Sequence, residues 1–114
     1  MSKSEVYQKE LAKLTEIFAD VEEPKRKLVQ GLVEDAAFLL AENYVLKQAI
    51  NTTGMVKIHP QHPDIQKPIE TAKQYLKNVN SYAVIIKTLN GVLMKNTVEG
   101  DDEFDEFIKK MKGE

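Results

Sequence analysis

One hundred and fourteen residues, 42 % hydrophobic and 30 % charged with a net charge of −2, suit one folded domain with a modest core. The absence of cysteine excludes disulfides, thiolate zinc sites and cysteine nucleophiles together. No window approaches roughly 18 consecutive apolar residues, and the start MSKSEVYQKEL lacks the apolar run of a signal peptide, so a cytoplasmic protein with no membrane partner is expected.

The charge is unevenly placed. Residues 1–54 carry 7 basic and 9 acidic side chains, residues 55–98 carry 6 and 2, and residues 99–114 carry 3 and 7. A mildly basic middle therefore precedes an acidic tail. Arg26 stands alone among lysines, which argues against bidentate base readout, although lysines hold a phosphate backbone without reading its sequence.

The first helix is predicted from about Ser4 to Phe18. Ser2-Lys3-Ser4-Glu5 has capping-box spacing, and Tyr7, Leu11, Leu14 and Phe18 recur at steps of 4, 3 and 4. The second runs from about Pro24, a residue suited to a first helical turn, to Ile50, before Asn51-Thr52-Thr53-Gly54. Its doubled apolar positions, Leu28/Val29, Leu32/Val33, Ala36/Ala37 and Leu39/Leu40, form a stripe wider than one neighbour needs. Gly31 inside it reads either as room for a close helix approach or as a tolerated glycine that costs about 1 kcal/mol against alanine.

The third helix is expected to start at Asp64 or Pro68 and to end near Asn90 or Leu93; Gly91 is a C-cap candidate, although apolar residues continue past it and leave the end open. Ala72, Tyr75, Val79, Tyr82, Ile86, Leu89 and Leu93 keep an unbroken 3-4 spacing, a coiled-coil-like seam, and Ile69, Leu76 and Ala83 form a second row. Lys73, Lys77 and Lys87 fall away from the seam as a basic stripe. A polar link, residues 96–100, then leads to DDEFDEFIKKMKGE, where Phe104, Phe107, Ile108 and Met111 make a short amphipathic helix with acids early and lysines late. The organisation read from this is a helical oligomerisation core, residues 1–95, with a tethered acidic tail, residues 96–114.

Between the second and third helices lies TTGMVKIHPQHPD, which holds both histidines, each before proline. Residues before proline leave the α region, so His59 and His62 cannot form a helical ligand pair; with only Asp64 nearby, a three-ligand metal site is not expected. The stretch reads as a proline-stiffened irregular crossover, with Asp64 as N-cap of the third helix. Ser2, Ser4 and Ser81 lie outside any nucleophile-elbow pattern, adjacent carboxylates such as Glu34-Asp35 point about 100° apart, and no Gly-rich phosphate loop occurs. No enzyme and no cofactor are expected.

The fold class read from the sequence is all-α: two long antiparallel helices in a hairpin, a short N-terminal helix and a short C-terminal amphipathic helix. A hairpin buries one face of each long helix, and a four-turn first helix covers only part of the rest. The remaining apolar area points to a homo-oligomer. The alternative is a monomeric bundle closed by the first and last helices.

Three segments, IFADVEEPKRKLVQGLVEDAAFL (17–39), INTTGMVKIHPQHPDIQK (50–67) and SYAVIIKTLNGVL (81–93), resemble small terminase subunits of tailed phages and prophages of Gram-positive bacteria. The resemblance implies a non-catalytic DNA-packaging adaptor, assembled as a ring in the host cytoplasm. Such an adaptor engages double-stranded viral DNA, weakly and salt-sensitively, and delivers it to the large terminase subunit with the ATPase and nuclease. Carried onto this chain, it implies an assembly surface of Leu28, Leu32, Leu39, Ala72, Tyr75, Val79, Tyr82, Ile86, Leu89 and Leu93. The phosphate contacts would be Lys25, Arg26, Lys27, Lys73, Lys77 and Lys87, and Phe104, Phe107, Ile108 and Met111 would meet the motor or a neighbouring copy. Many small terminase subunits carry an N-terminal helix-turn-helix; here the second helix is too long for a recognition helix. The competing reading is a small helical regulator of phage origin that grips a host protein through its acidic tail.

Overall fold

A computed structural model describes the backbone of residues 1–111 and the side chains of residues 1–95. Its elements are α1 (Lys3–Ile17), α2 (Glu23–Thr53), β1 (Val56–Ile58), β2 (Gln66–Pro68) and α3 (Glu70–Met111). The two long helices pack against each other, as the sequence predicts, and a small antiparallel sheet joins them.

Local chemistry sets the helix ends. Ser2 accepts the Glu5 N–H at 3.1 Å, the side-chain half of the expected capping box. Phe18 closes α1, and the turn after it returns the Val21 N–H to the Phe18 carbonyl at 3.1 Å. Pro24 lies in the first turn of α2, where its missing N–H leaves no gap. Gly54 ends α2 at φ 77°, a left-handed conformation that costs glycine nothing, and its N–H meets the Ile50 carbonyl.

The three helices share one cluster: Leu14 and Phe18 of α1 and its turn, Val21, then Val29, Val33 and Ala36 of α2 and Leu89 of α3. Alternate apolar rows of α2 explain how it serves two neighbours, since α1 and α3 each pack against it. The molecule is a rod, 76 × 32 × 18 Å, with a radius of gyration of 21.0 Å. A compact chain of this length has a radius of about 13 Å.

Several expectations are corrected. Residues 52–68 are not an irregular crossover. Val56 pairs with Pro68, Lys57 with Lys67 and Ile58 with Gln66 in an antiparallel ribbon. Its tip consists of two successive turns: the His62 N–H meets the His59 carbonyl at 3.3 Å, and the Ile65 N–H meets the His62 carbonyl at 2.8 Å. Each turn has proline at its second position, where a fixed φ near −65° is already correct. HPQHP is therefore turn chemistry. Asp64 lies in the second turn and caps nothing; α3 begins at Glu70, with the Ile69 carbonyl accepting the Lys73 N–H at 3.1 Å.

Helix α3 also does not stop near Asn90 or Leu93, and Gly91 is no C-cap. The helix continues through residues 96–100, expected as a link, and on to Met111, so the C-terminal amphipathic segment is part of α3 and not a separate tethered helix. Half-buried Val92 and Leu93 pack on the core just past Gly91, which carries the helix through a glycine worth about 1 kcal/mol against alanine.

Gly31 makes no close helix approach either: a Cβ there, or at Gly91, meets nothing within 4 Å. Gly31→Ala and Gly91→Ala are thus each expected to raise stability by about 0.5–1 kcal/mol in urea unfolding, because both sites are helical and open. A loss of stability in either variant contradicts the open setting.

Candidate functional site

The fold divides the expected assembly residues. Ala72 and Leu89 are buried in the chain's own core; Leu32, Leu39, Tyr75, Tyr82, Ile86 and Leu93 are half-buried; Leu28 and Val79 are exposed. The seam chosen from spacing is therefore largely the seam within the molecule. The second row on α3 is the more open one, with Leu76 at 49 % and Ala83 exposed. Leu28 is 80 % exposed, Val84 64 % and Phe38 54 %. Two rows at helical spacing are visible in sequence, but nothing local says which one α2 covers.

The whole chain exposes 8512 Å². A compact monomer of this 13.0 kDa mass exposes about 6,300 Å² by surface scaling. Because α1 has 15 residues against 31 in α2, it leaves an open cavity of about 320 Å³ lined by Met1, Val6, Leu40, Tyr75 and Val79. Asn43, 7 % exposed, lines the same cavity, and its Oδ1 has no hydrogen-bond partner.

The expected phosphate contacts separate by role. Arg26 donates from Nη1 to the Ala19 carbonyl at 3.0 Å, tying α2 to the turn before it. Lys25 is half-buried. Lys27 pairs with Glu23 at 3.3 Å, and Lys73 pairs with Glu70 at 3.1 Å. Lys77 and Lys87 are exposed and make no ion pair among the described residues. At 100° per residue Lys73, Lys77 and Lys87 fall within an arc of about 80°, opposite Tyr75, Tyr82 and Leu89. Lys95, which the sequence reading left out, falls on that same exposed arc. The side chains of Phe104, Phe107, Ile108 and Met111 lie outside the described residues.

A polar contact missed in sequence crosses the helices. Glu10 is 5 % exposed, between Val6 and Leu14 on the buried face of α1. It pairs with Lys13 at 2.8 Å and accepts a long hydrogen bond from the Tyr82 hydroxyl at 3.4 Å. The available signal was its place four residues from both Val6 and Leu14.

The hydrogen bond to Glu10 raises the Lys13 pKa above 10.5, against an opposing effect of burial. Burial first, then the Glu10 charge, raises the Tyr82 phenol above 10.0. In both groups the fold favours the protonated form. Their contribution is therefore complete below the unfolded values and is lost as pH rises through the folded ones. Urea midpoints are expected to hold to about pH 9.5 and to fall above about pH 10, with a shallower fall in Tyr82→Phe. A flat profile across that window contradicts the coupling.

Among the described residues no three His, Asp or Glu side chains group to hold a metal ion, and no helix is long and apolar enough to cross a membrane. The chain matches no protein-family model, and no curated protein and no solved structure is detectably similar to it.

Proposed function

We propose that this protein is a non-catalytic assembly adaptor of the small terminase kind. Copies gather through their apolar flanks, hold double-stranded viral DNA weakly through lysine–phosphate contacts, and present it to a large terminase subunit that carries the ATPase and nuclease. The supporting observation is the elongated hairpin on which Leu28, Leu76 and Val84 remain open to water. Large exposed apolar side chains on so extended a rod suit an association surface. The outward lysines of α3, Lys77 and Lys87, suit a sequence-independent grip, because point charges neutralise phosphate without reading bases.

Light scattering at micromolar concentration is expected to show a defined assembly, and duplex DNA binding to weaken linearly with the logarithm of salt concentration. Lys77→Glu with Lys87→Glu should reduce that salt slope by about 2 while leaving assembly intact. A monomer, with or without DNA, removes the basis of the proposal. The second reading is a regulator that grips a partner through the acidic segment on the end of α3. It predicts that deleting residues 99–114 abolishes partner capture and leaves both assembly and DNA binding unchanged.

A further inference from the structure

Among the described residues the β1–β2 ribbon has little support from its own chain. Every residue of both strands is exposed, and a lone two-stranded ribbon is marginally stable in water. Its two faces differ. Lys57 stands directly opposite Lys67, an arrangement of like charges that destabilises a strand pair. His59 and Ile65, two positions along each strand, share that face, while Val56, Ile58, Gln66 and Pro68 belong to the other.

The lysine face forms an open depression of about 470 Å³, lined by Lys57, His59, Pro60, Ile65 and Lys67. Neither lysine has an ion pair among the described residues. The His59 Nδ1 accepts the N–H groups of Gln61 and His62, each at 3.1 Å, which leaves its proton on Nε2 as a further donor. The depression therefore offers two cations and a donor above an apolar floor of Pro60 and Ile65, which suits an anionic partner with an apolar side.

The chain contains a segment of that chemistry. Residues 101–107, DDEFDEF, combine five carboxylates with two phenylalanines. The segment belongs to α3, which runs without interruption from Glu70, at the base of the ribbon, to Met111. About 46 Å of helix separates Glu70 from Asp101 at 1.5 Å per residue, so a chain cannot bring its own acidic segment to its own ribbon. A second copy can. Phosphate alone would meet the lysines but leave the isoleucine and proline floor without a partner.

From this juxtaposition we infer that the basic face of the ribbon, Lys57, Lys67 and His59 over Ile65, is a docking site for the acidic aromatic segment 101–107 of a second copy of this chain. The contact is head-to-tail, and such heterologous contacts close into rings or continue as filaments. It deepens the assembly reading above and rests on it.

The test mixes isotopically heavy and light copies of the full chain, joins lysines to neighbouring carboxylates with a zero-length carbodiimide, and identifies the joined peptides by mass spectrometry. Links from Lys57 or Lys67 to the carboxylates of 101–106 are expected in heavy–light pairs, and they should weaken steeply with added salt. Lys57→Glu with Lys67→Glu should lower the apparent association about tenfold with the helical signal unchanged. Mixing that variant with one carrying Asp101→Lys, Asp102→Lys and Glu103→Lys should restore association. An assembly that forms without these heavy–light links overturns the docking site and leaves the assembly reading standing, whereas a monomer overturns both. Loss of duplex DNA binding by the ribbon variant, with assembly unchanged, overturns the inference in favour of a nucleic-acid contact.

Discussion

Phe18→Ala is expected to lower the unfolding free energy by about 3–5 kcal/mol, the largest effect of any single substitution considered. Phe18 is 4 % exposed and sits where α1 ends and the chain turns into α2. Its ring fills the cluster shared by Leu14, Val21, Val29, Val33 and Leu89, so it holds three helices at once. Alanine removes the ring and leaves a cavity that a helix end, fixed by its own turn hydrogen bonds, closes only in part. Domains of this size have a total stability of about 5–15 kcal/mol, so the variant should be largely unfolded at modest urea concentrations. A midpoint shift equivalent to less than about 1 kcal/mol would falsify the assignment of Phe18 as the junction of the core.

The second large effect should fall on association and spare the fold. Leu28→Glu and Leu76→Glu replace side chains that are 80 % and 49 % exposed in the single chain. Burying a leucine contributes about 1.5–3 kcal/mol. If those side chains meet another copy, each substitution should weaken assembly roughly tenfold or more. Melting of the dilute monomer should hardly move, because neither residue belongs to the buried cluster. Sedimentation across a concentration series reads the first quantity, and calorimetry of the dilute species reads the second. Assembly unaffected by both substitutions would place the interface elsewhere on the rod. The contrast with Phe18 is the informative part: one apolar side chain holds the chain to itself, and the others are left over.

That contrast also explains the basic stripe. A lysine on an exposed helix face is commonly balanced by a carboxylate one turn away, as Lys27 is by Glu23 and Lys73 by Glu70. Sequence counts all six basic residues alike, whereas the structure leaves Lys77 and Lys87 exposed and with no ion pair among the described residues. Arg26 is engaged with the Ala19 carbonyl, a contact seven residues back that a helical wheel does not display.

The sequence by itself determined that the chain is mostly helical, where its three helices approximately start and that the two long ones pack together. Those features follow from short-range physics: the Ser2 cap, Pro24 in a first turn, Gly54 at positive φ, and apolar residues repeating at helical spacing. It also located the chain reversal at HPQHP, since proline fixes its own φ and restrains the residue before it.

Only the tertiary structure decided the rest. Whether His59-Pro60 and His62-Pro63 made a loose crossover or the tip of a ribbon depended on residues 56–58 pairing with residues 66–68, a pairing no local pattern encodes. Whether α3 ended near Gly91 depended on Val92 and Leu93 finding the core beyond it. Glu10 was placed against Tyr82, 72 residues away, by the docking of α1. Which apolar row became interior and which stayed open to solvent was set by the neighbour each helix found. Spacing along a helix defines its faces, but occupancy of a face belongs to whatever packs against it.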